Sequence, residues 1–238
     1  MRNVLITGSA NGVGKEIAKL LKNENLLIVD IDNKNLSNLA KELKCNSLVC
    51  DVSDPQAVHN LKNFIISNNF NLDTIINCAG LWTKGELSEL NHEHFSKLNT
   101  LDNIKKIIDT NTFGTIAIIT ELAPLLIKNG KGQIININSQ SGVNVEEFCP
   151  VYNASKHGGN SYRKAIQTDL AKHNIKITDV CPGLIKTDFY VRAGDELPET
   201  IMQQGLSAKD VAQTVKYVFD LPHEITIPSI EIKNIKNY

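Results

Sequence analysis

Residues 7–14 read TGSANGVG, and they follow the apolar, β-branched run NVLIT at 3–7. The helical pattern VGKEIAKLLKN, at 13–23, begins inside the same stretch. Glycine permits a tight turn, close approach of a ligand to the backbone, and close packing of a helix against a strand. The helix that follows presents free N–H groups and the positive end of its dipole, which suit a pyrophosphate. The stretch therefore predicts a dinucleotide-binding loop, with a purely structural turn as the alternative.

The same stretch does not fit a loop that binds nucleoside triphosphates. Ser9 stands where that loop requires its upstream glycine, and Glu16 follows Lys15 where Ser or Thr would bind magnesium.

Apolar runs of strand length alternate with longer amphipathic stretches from end to end of the chain. Continuous apolar strands separated by helices are typical of a parallel sheet that is buried on both faces. We therefore predict one doubly wound α/β domain. The strand candidates are 3–7, 26–30, 47–51, 73–80, 132–139, 175–183 and 225–232, and helical patterns include 13–23, 36–44 and 208–221.

Asp30 ends the second strand, where an acidic side chain binds the adenosine ribose in dinucleotide-binding folds. A carboxylate accepts hydrogen bonds from the ribose diol of NAD and repels the 2′-phosphate of NADP. At ~4 Å and an effective dielectric near 20, that repulsion costs about 4 kcal/mol before screening. We predict NAD rather than NADP, with a turn-capping Asp30 as the alternative. No Lys or Arg to hold the phosphate stands at Ser9, Ala10, Asn11 or Ile31.

Polar residues recur at the carboxyl ends of the later strands, where ligands bind in such sheets. Asp51 ends the third strand, NCAG at 77–80 ends the fourth, and Ser139 ends the fifth. Tyr152 and Lys156 then open the next helix, one turn apart on the same face. Each feature alone has a structural alternative: Ser139 could cap a helix, and Tyr152 and Lys156 could be a pair on the protein surface.

Taken together, these motifs resemble the short-chain dehydrogenase/reductase family in its shorter form, in the family's order and over essentially the whole chain. The resemblance implies a Rossmann fold: a seven-stranded parallel sheet with helices on both faces, in a single domain spanning 1–238. The motifs are Thr7-Gly8-x-x-x-Gly12-x-Gly14, Asn77-Cys78-Ala79-Gly80, Asn111, Ser139, Tyr152-x-x-x-Lys156, and Pro182-Gly183 followed by Thr187.

The resemblance implies an enzyme that moves a hydride between a nicotinamide cofactor and a secondary alcohol or carbonyl compound. A free tyrosine has a pKa of about 10, and we expect the ammonium of Lys156 to lower it so that Tyr152 acts as general acid and base. Ser139 would hydrogen-bond the reacting oxygen. Lys156 would also bind the nicotinamide ribose, and Asn111 would help to hold a water molecule.

The cofactor contacts that we predict run along the same strand ends. They comprise Gly8, Ser9, Asn11, Gly12, Val13, Gly14, Asp30, Ile31, Asp51, Val52, Asn77, Ala79, Gly80, Tyr152, Lys156, Pro182, Gly183, Ile185 and Thr187.

Composition gives no reason to expect nucleic acid or an anionic membrane as a partner, since the formal net charge is -1 with 21% charged residues. The longest uninterrupted apolar runs, such as LLIV at 26–29, are far shorter than the roughly 20 residues of a membrane span. An odd count of five cysteines indicates reduced thiols. With no room for a signal peptide before residue 3, we expect a cytoplasmic protein.

Gly158 and Gly159 lie inside the predicted helix of Tyr152, where each costs about 1 kcal/mol relative to alanine. Either close packing within the chain or contact with a second subunit would explain these two glycines. Family members often assemble through this helix and the one bearing Asn111, so we expect a homodimer or homotetramer. His92 and His94 lie in the unusually long segment 87–106 without further ligands at a plausible spacing, and we predict no metal.

The substrate region is expected at 188–206, whose mixed polarity favours a mobile lid. Phe189, Tyr190 and Arg192 of that lid are candidates to face the substrate, and Arg192 would either hold an anionic group or lie as a solvated surface charge. Further candidates for the pocket wall are Trp82, Gln140 and Asn144. A non-catalytic dinucleotide sensor or scaffold on the same fold is the alternative function. A nucleotide-sugar epimerase needs a larger C-terminal region than 184–238.

Overall fold

Seven parallel strands form the central sheet, in the order β3-β2-β1-β4-β5-β6-β9. The computed structural model describes residues 1–83, 100–146, 149–195 and 197–237. The predicted seven-stranded sheet is confirmed, and a second, two-stranded sheet (β7 and β8) lies beside it. The strands are β1 Asn3–Thr7, β2 Asn25–Asp30, β3 Asn46–Val49, β4 Thr74–Asn77, β5 Gly132–Ile137, β6 Ile175–Pro182, β7 Ile185–Lys186, β8 Leu206–Ser207 and β9 Ser229–Ile232.

Helices cover both faces of the sheet, and several begin at the residues that helix capping favours. Asp54 accepts a hydrogen bond from the Gln56 N–H at the start of α3, and Ser207 and Asp210 form a capping box at the start of α8. The helices are α1 Gly12–Leu20, α2 Asn33–Leu43, α3 Pro55–Ser67, α4 Leu101–Ile108, a π-helical turn Asp109–Phe113, α5 Gly114–Lys128, α6 Pro150–Lys172, α7 Glu199–Met202 and α8 Ala208–Asp220.

Alternate residues of each strand enter two apolar cores, one on each face of the sheet. On β1, Leu5 joins the core formed with α3 and α5, whereas Val4 and Ile6 join the core formed with α1, α2 and α8. All three side chains have no exposed surface. Burial on both faces explains why the strands are apolar throughout rather than alternating.

The strand order reverses between β1 and β4, which pair with each other in parallel. From β1 the chain continues to β2 and β3 on one side, and from β4 it continues to β5 and β6 on the other. At such a switch point the two following loops diverge and leave a crevice at the carboxyl ends of the strands. The fold therefore brings the glycine loop after β1 opposite the loop after β4.

Residues 101–128 form one continuous helical stretch that is long and apolar enough to cross a membrane by length and composition. This differs from the expectation drawn from uninterrupted apolar runs, because the apolar residues here are spread along a helix. Ile118, Leu122 and Leu126 of α5 are buried in the core against the sheet. A core helix passes the same test as a membrane span, so the finding is weak evidence for a membrane.

The two glycines of α6 have different surroundings. A Cβ on Gly158 would lie 2.9 Å from the Thr112 Cγ2, whereas a Cβ on Gly159 would meet nothing within 4 Å. Thr112 also donates a hydrogen bond to the Ser155 carbonyl of α6, at 2.9 Å. Close packing within the chain therefore explains Gly158, and contact with a second subunit stays a prediction for Gly159.

The segment 87–106 is described only from residue 100, where Thr100 caps α4. His92 and His94 lie outside the described residues. In the ranges that the structure describes, no group of three or more His, Cys, Asp or Glu residues could hold a metal ion.

Candidate active site

The glycine loop packs against the loop after β4 and leaves open space at its centre. Gly8 has a φ of +63°, and a Cβ there would lie 2.6 Å from the Ala79 backbone. A Cβ on Gly14 would lie 2.1 Å from the Gly8 carbonyl oxygen. A Cβ on Gly12 would approach only the Thr187 side chain, at 3.7 Å. Gly8 and Gly14 thus serve the close packing, and Gly12 faces the space that a ligand would fill.

Asp30 ends β2 at the edge of this space. Its carboxylate accepts hydrogen bonds from the Ala10 N–H and the Asp32 N–H, both at 2.9 Å. These bonds fit the turn-capping alternative. A carboxylate has about four acceptor positions, so two remain for ribose hydroxyls. Next to it, Ile31 is 63% exposed on the wall of the space, where an apolar side chain suits an adenine ring.

A cavity of about 1090 Å³ runs from the glycine loop to the lid residues. This exceeds the ordinary range of small-molecule sites, and it suits an elongated dinucleotide together with a substrate. Most of the predicted contacts line it. They are Gly8, Asn11, Gly12, Val13, Gly14, Asp30, Ile31, Asp51, Val52, Ala79, Gly80, Ser139, Tyr152, Lys156, Pro182, Gly183, Ile185 and Thr187.

Three predicted residues lie behind the cavity wall. The Ser9 hydroxyl is buried and donates to the Val29 carbonyl at 3.1 Å. The Asn77 amide donates to the Asn136 Oδ1 at 2.9 Å, within a polar network inside the sheet. Asn111 is the third. The side chains of Ser9 and Asn77 are thus hydrogen-bonded inside the protein, and their contacts with a cofactor stay predictions.

Asn111 lies in the π-helical turn and ties the loop after β4 to α6. Its amide donates to the Leu81 carbonyl at 2.8 Å and to the Ser155 hydroxyl at 3.0 Å, and its Oδ1 accepts from the Leu81 N–H at 2.7 Å. A Cβ on Gly80 would lie 3.4 Å from this Oδ1 and 3.7 Å from the Lys156 Nζ. The Asn111 Oδ1 and the Lys156 Nζ therefore both lie close to Gly80, although Asn111 itself does not line the cavity.

A buried ion pair between α6 and β6 anchors the polar network. The Arg163 guanidinium of α6 lies 3.2 Å from the Asp179 carboxylate of β6, and both side chains are at most 3% exposed. Asp179 also accepts hydrogen bonds from the amides of Asn136 and Asn138. The network thus joins β5, β6 and α6 directly beneath Ser139.

Ser139, Tyr152 and Lys156 come together at the end of the cavity away from Asp30. The Ser139 side chain interacts with the Tyr152 phenol, and this interaction favours the phenolate. It also accepts a hydrogen bond from the Ser141 N–H at 3.1 Å, which fixes its rotamer. The Lys156 ammonium donates to the Ile137 carbonyl at 3.1 Å and lies 5.7 Å from the centre of the Tyr152 ring. These three side chains can share a proton with an oxygen atom bound between them.

The pKa of Tyr152 is raised, whereas we expected the neighbouring ammonium of Lys156 to lower it. Burial raises the pKa of the phenol far above its ordinary value, Tyr190 adds to the rise, and the interaction with Ser139 opposes it. Burial likewise lowers the pKa of Lys156. A buried group disfavours its charged form. Desolvation thus outweighs the attraction between Lys156 and the phenolate that we expected to dominate.

An aromatic wall surrounds the Tyr152 ring. Trp82 meets it edge-on with ring centres 4.8 Å apart, and Phe189 meets it at 6.4 Å. Tyr190 packs against Trp82 at 5.0 Å. The Trp82 indole N–H donates to the Asp195 carboxylate at 3.0 Å, which links the loop after β4 to the lid segment 188–206. The cluster covers the reacting end of the cavity.

Gln140 follows Ser139 and lines the cavity, whereas Asn144 is exposed and does not. The Gln140 side chain is 6% exposed, and its Nε2 has no hydrogen-bond partner among the described residues. A Cβ on Gly183 would lie 3.0 Å from its Oε1. Glycine at 183 therefore leaves room for the Gln140 amide at the cavity wall.

The sequence reading missed Glu146 and Asp195, which also line the cavity. Each lies in an irregular stretch, so no periodicity indicates which way its side chain points. The one available signal was that Glu146 lies between Ser139 and Tyr152, two residues that we expected at the same site.

A comparison with families of known proteins decides the family. The model described as short chain dehydrogenase matches residues 2–197. The chain belongs to the short-chain dehydrogenase family. Members of this family are oxidoreductases, and the resemblance read from the motifs is confirmed.

Individual relatives within the short-chain dehydrogenase family agree. Dehydrogenase/reductase SDR family member 7B of Xenopus tropicalis is 31% identical over 232 residues, covering 89% of this chain and 72% of that protein. A diacetyl reductase [(S)-acetoin forming] of Staphylococcus epidermidis is 32% identical over 204 residues, covering 82% of this chain and 76% of that protein. The closed form of a serine dehydrogenase complexed with NADP+ superposes with a TM-score of 0.86 at 26% identity, covering 96% of this chain and 93% of that structure's chain.

Proposed function

We propose that this short-chain dehydrogenase interconverts a secondary alcohol and a carbonyl compound with NAD, with Tyr152 as general acid and base. One observation carries the proposal. The side chains of Ser139 and Tyr152 line the same cavity as the glycine loop and Asp30, so two hydroxyls face the space that a dinucleotide would enter. Such a cavity can hold a dinucleotide and a small substrate together.

The residues around the cavity fit a dinucleotide. The open space before Gly12 suits a pyrophosphate, the free acceptor positions of Asp30 suit a ribose diol, and Ile31 suits adenine. When bound, the nicotinamide donates or accepts the hydride. The NADP+ of the serine dehydrogenase neighbour belongs to that protein. Here the carboxylate of Asp30 and the lack of a cation at residues 9–11 and 31 support NAD.

Side chains of this protein would transfer the proton to and from the substrate oxygen. Because the pKa of Tyr152 is raised, the phenol is protonated at neutral pH and is ready to donate to a carbonyl oxygen during reduction. Ser139 donates a second hydrogen bond to that oxygen and stabilises the charge that develops on it. Lys156, held by the Ile137 carbonyl, places a cation behind the phenol as it loses its proton.

The relatives support a small carbonyl substrate, since one is a diacetyl reductase. The proposal includes assembly as a homodimer or homotetramer, for which Gly159 of α6 offers an uncovered small residue. It also includes a cytoplasmic location, because all five cysteines are free thiols. The alternative, a dinucleotide sensor without turnover, gives no reason for Ser139, Tyr152 and Lys156 to line the same cavity.

The test is a panel of alcohols and carbonyl compounds assayed with NAD(H) and NADP(H), with Tyr152→Phe as the blank. We expect turnover by the wild-type protein and a loss of at least 10³-fold in Tyr152→Phe, with NADH binding retained. Tyr217→Phe is the matched control, because Tyr217 is 58% exposed on α8. Retained activity in Tyr152→Phe would contradict its acid–base role. NADH binding without any turnover would favour the sensor.

A further inference from the structure

Glu146 lines the cavity and lies in the stretch of chain between Ser139 and Tyr152. Hydrogen bonds hold its backbone in place. The Asn153 amide of α6 donates to the Glu146 carbonyl, and the Glu146 N–H donates to the Asn153 Oδ1 at 3.3 Å. Asn153 directly follows Tyr152 on α6. The position of Glu146 is therefore coupled to the helix that carries the proposed acid.

The carboxylate of Glu146 points toward the aromatic wall. Its Oε2 lies 3.8 Å from the Cys149 Sγ, and Cys149 is fully buried against Trp82 and Tyr152. The negative charge contributes to the raised pKa of both Tyr152 and Tyr190. The carboxylate is thus close to both phenols at the reacting end of the cavity.

No cation balances this charge within the described part of the chain. Glu146 is half-buried, and no Lys, Arg or His of the described ranges forms an ion pair with it. Arg192 of the lid also lines the cavity, but it is exposed and its charge acts on Asp32 at the nucleotide end.

The remaining groups at this end favour a cation as well. Asp195 of the lid adds a second carboxylate near Tyr190, although it is already bonded to the Trp82 indole. Trp82 and Tyr190 contribute aromatic rings, whose faces attract an ammonium group. A carboxylate beside aromatic rings is a combination that recognises a protonated amine.

We propose that Glu146 binds a protonated amine of the substrate, so that the reacting compound is a small amino alcohol or the corresponding amino ketone. This inference rests on the proposed function, because it names the substrate class of the same site. Pairing with the ammonium would neutralise Glu146 and remove one anionic contribution to the high pKa of Tyr152. The correct substrate would therefore assist its own deprotonation.

The test compares two alcohols of the same size, 1-amino-2-propanol and 2-butanol, which differ in an ammonium and a methyl group. For the wild-type protein we expect kcat/KM at pH 7 to be at least tenfold higher for the amino alcohol. Glu146→Gln should lower that value at least tenfold but should not lower the value for 2-butanol, because loss of the Glu146 charge favours deprotonation of Tyr152. Glu42→Gln, on the exposed side of α2, is the matched control and should change neither.

A binding measurement separates this inference from the proposed function. In the Tyr152→Phe protein with bound NADH, 1-amino-2-propanol should bind at least tenfold more tightly than 2-butanol, and the double variant with Glu146→Gln should lose that difference. A wild-type protein that does not prefer the amino alcohol, or a Glu146→Gln variant that keeps the preference, would overturn the role of Glu146. Amine-selective binding without turnover of either alcohol would support Glu146 and contradict the proposed function.

Discussion

The Trp82 indole covers the Tyr152 ring edge-on, with ring centres 4.8 Å apart and the ring planes at 64°. Tyr152 is consequently only 7% exposed, and burial is the main reason that its pKa is raised. The same contact that shapes the substrate end of the cavity thus controls the protonation of the proposed acid.

Trp82→Leu should admit water to the phenol and lower the pKa of Tyr152. Alcohol oxidation needs the phenolate, so its rate rises as pH increases through this pKa, and a lower pKa moves that rise to lower pH. Because the wild-type pKa lies far above 10, kcat/KM for oxidation should still be rising at pH 10, and in Trp82→Leu it should be higher than in the wild-type protein at each pH from 8 to 10. Values in Trp82→Leu that are no higher than in the wild-type protein would show that Trp82 does not act through burial.

Asp30→Asn should change the cofactor preference. It removes the charge that repels a 2′-phosphate while an amide oxygen still accepts a hydrogen bond from the Ala10 or Asp32 N–H. We expect the ratio of the NADPH and NADH dissociation constants to fall about tenfold, a modest part of the repulsion at ~4 Å. Fluorescence titration measures both constants. Asp54→Asn, at the cap of α3, is the control; an equal effect there would exclude a specific role of Asp30.

The glycine pair of α6 offers a matched test of packing. Gly158→Ala should lower the free energy of unfolding by about 1–3 kcal/mol, because its Cβ would meet Thr112 at 2.9 Å. Gly159→Ala should raise it by up to about 1 kcal/mol through helix propensity alone. Urea denaturation measures both. Sedimentation of Gly159→Ala then tests assembly, since an altered oligomeric state would place a partner at this residue.

The buried ion pair of Asp179 and Arg163 should be costly to break. Asp179→Asn leaves the guanidinium without its anionic partner, and we expect the free energy of unfolding to fall by about 3–5 kcal/mol. The double variant Asp179→Asn with Arg163→Met removes both charges, keeps an acceptor oxygen for the buried amides of Asn136 and Asn138, and should recover part of that loss. If the single and double variants were equally unstable, packing rather than charge would dominate at this position.

Gln140→Met should leave stability unchanged or raise the free energy of unfolding by about 1 kcal/mol, since it removes a buried amide without a partner. Thermal unfolding with and without NADH measures this. A clear loss of stability in the free protein would show that the amide has an internal partner.

The fold and much of the site could be predicted because they depend on local signals. The glycine loop, the apolar strands and the Tyr152–Lys156 spacing each follow from backbone geometry within a few residues. Parallel strands then bring their carboxyl ends to one edge, which places Asp30 and Ser139 along the same cavity.

What could not be predicted depends on tertiary packing. The raised pKa of Tyr152 results from the burial by Trp82, which is 70 positions earlier in the chain. Asn77 turns into the sheet because Asn136 pairs with it from the neighbouring strand. Glu146 faces the cavity because Asn153 holds its backbone, and nothing in the loop sequence indicates that contact.

The last strand of the sheet has a consequence for how the protein is made. Ile232 of β9 accepts the Gly183 N–H at 2.9 Å, beside the wall that carries Gln140. Domains are synthesised from the N-terminus, so a nascent chain contains every proposed acid–base group long before this strand leaves the ribosome. The pocket rim is therefore finished only after β9 has been synthesised, and chains that terminate before it would retain Tyr152 and Lys156 without a completed support behind Gly183.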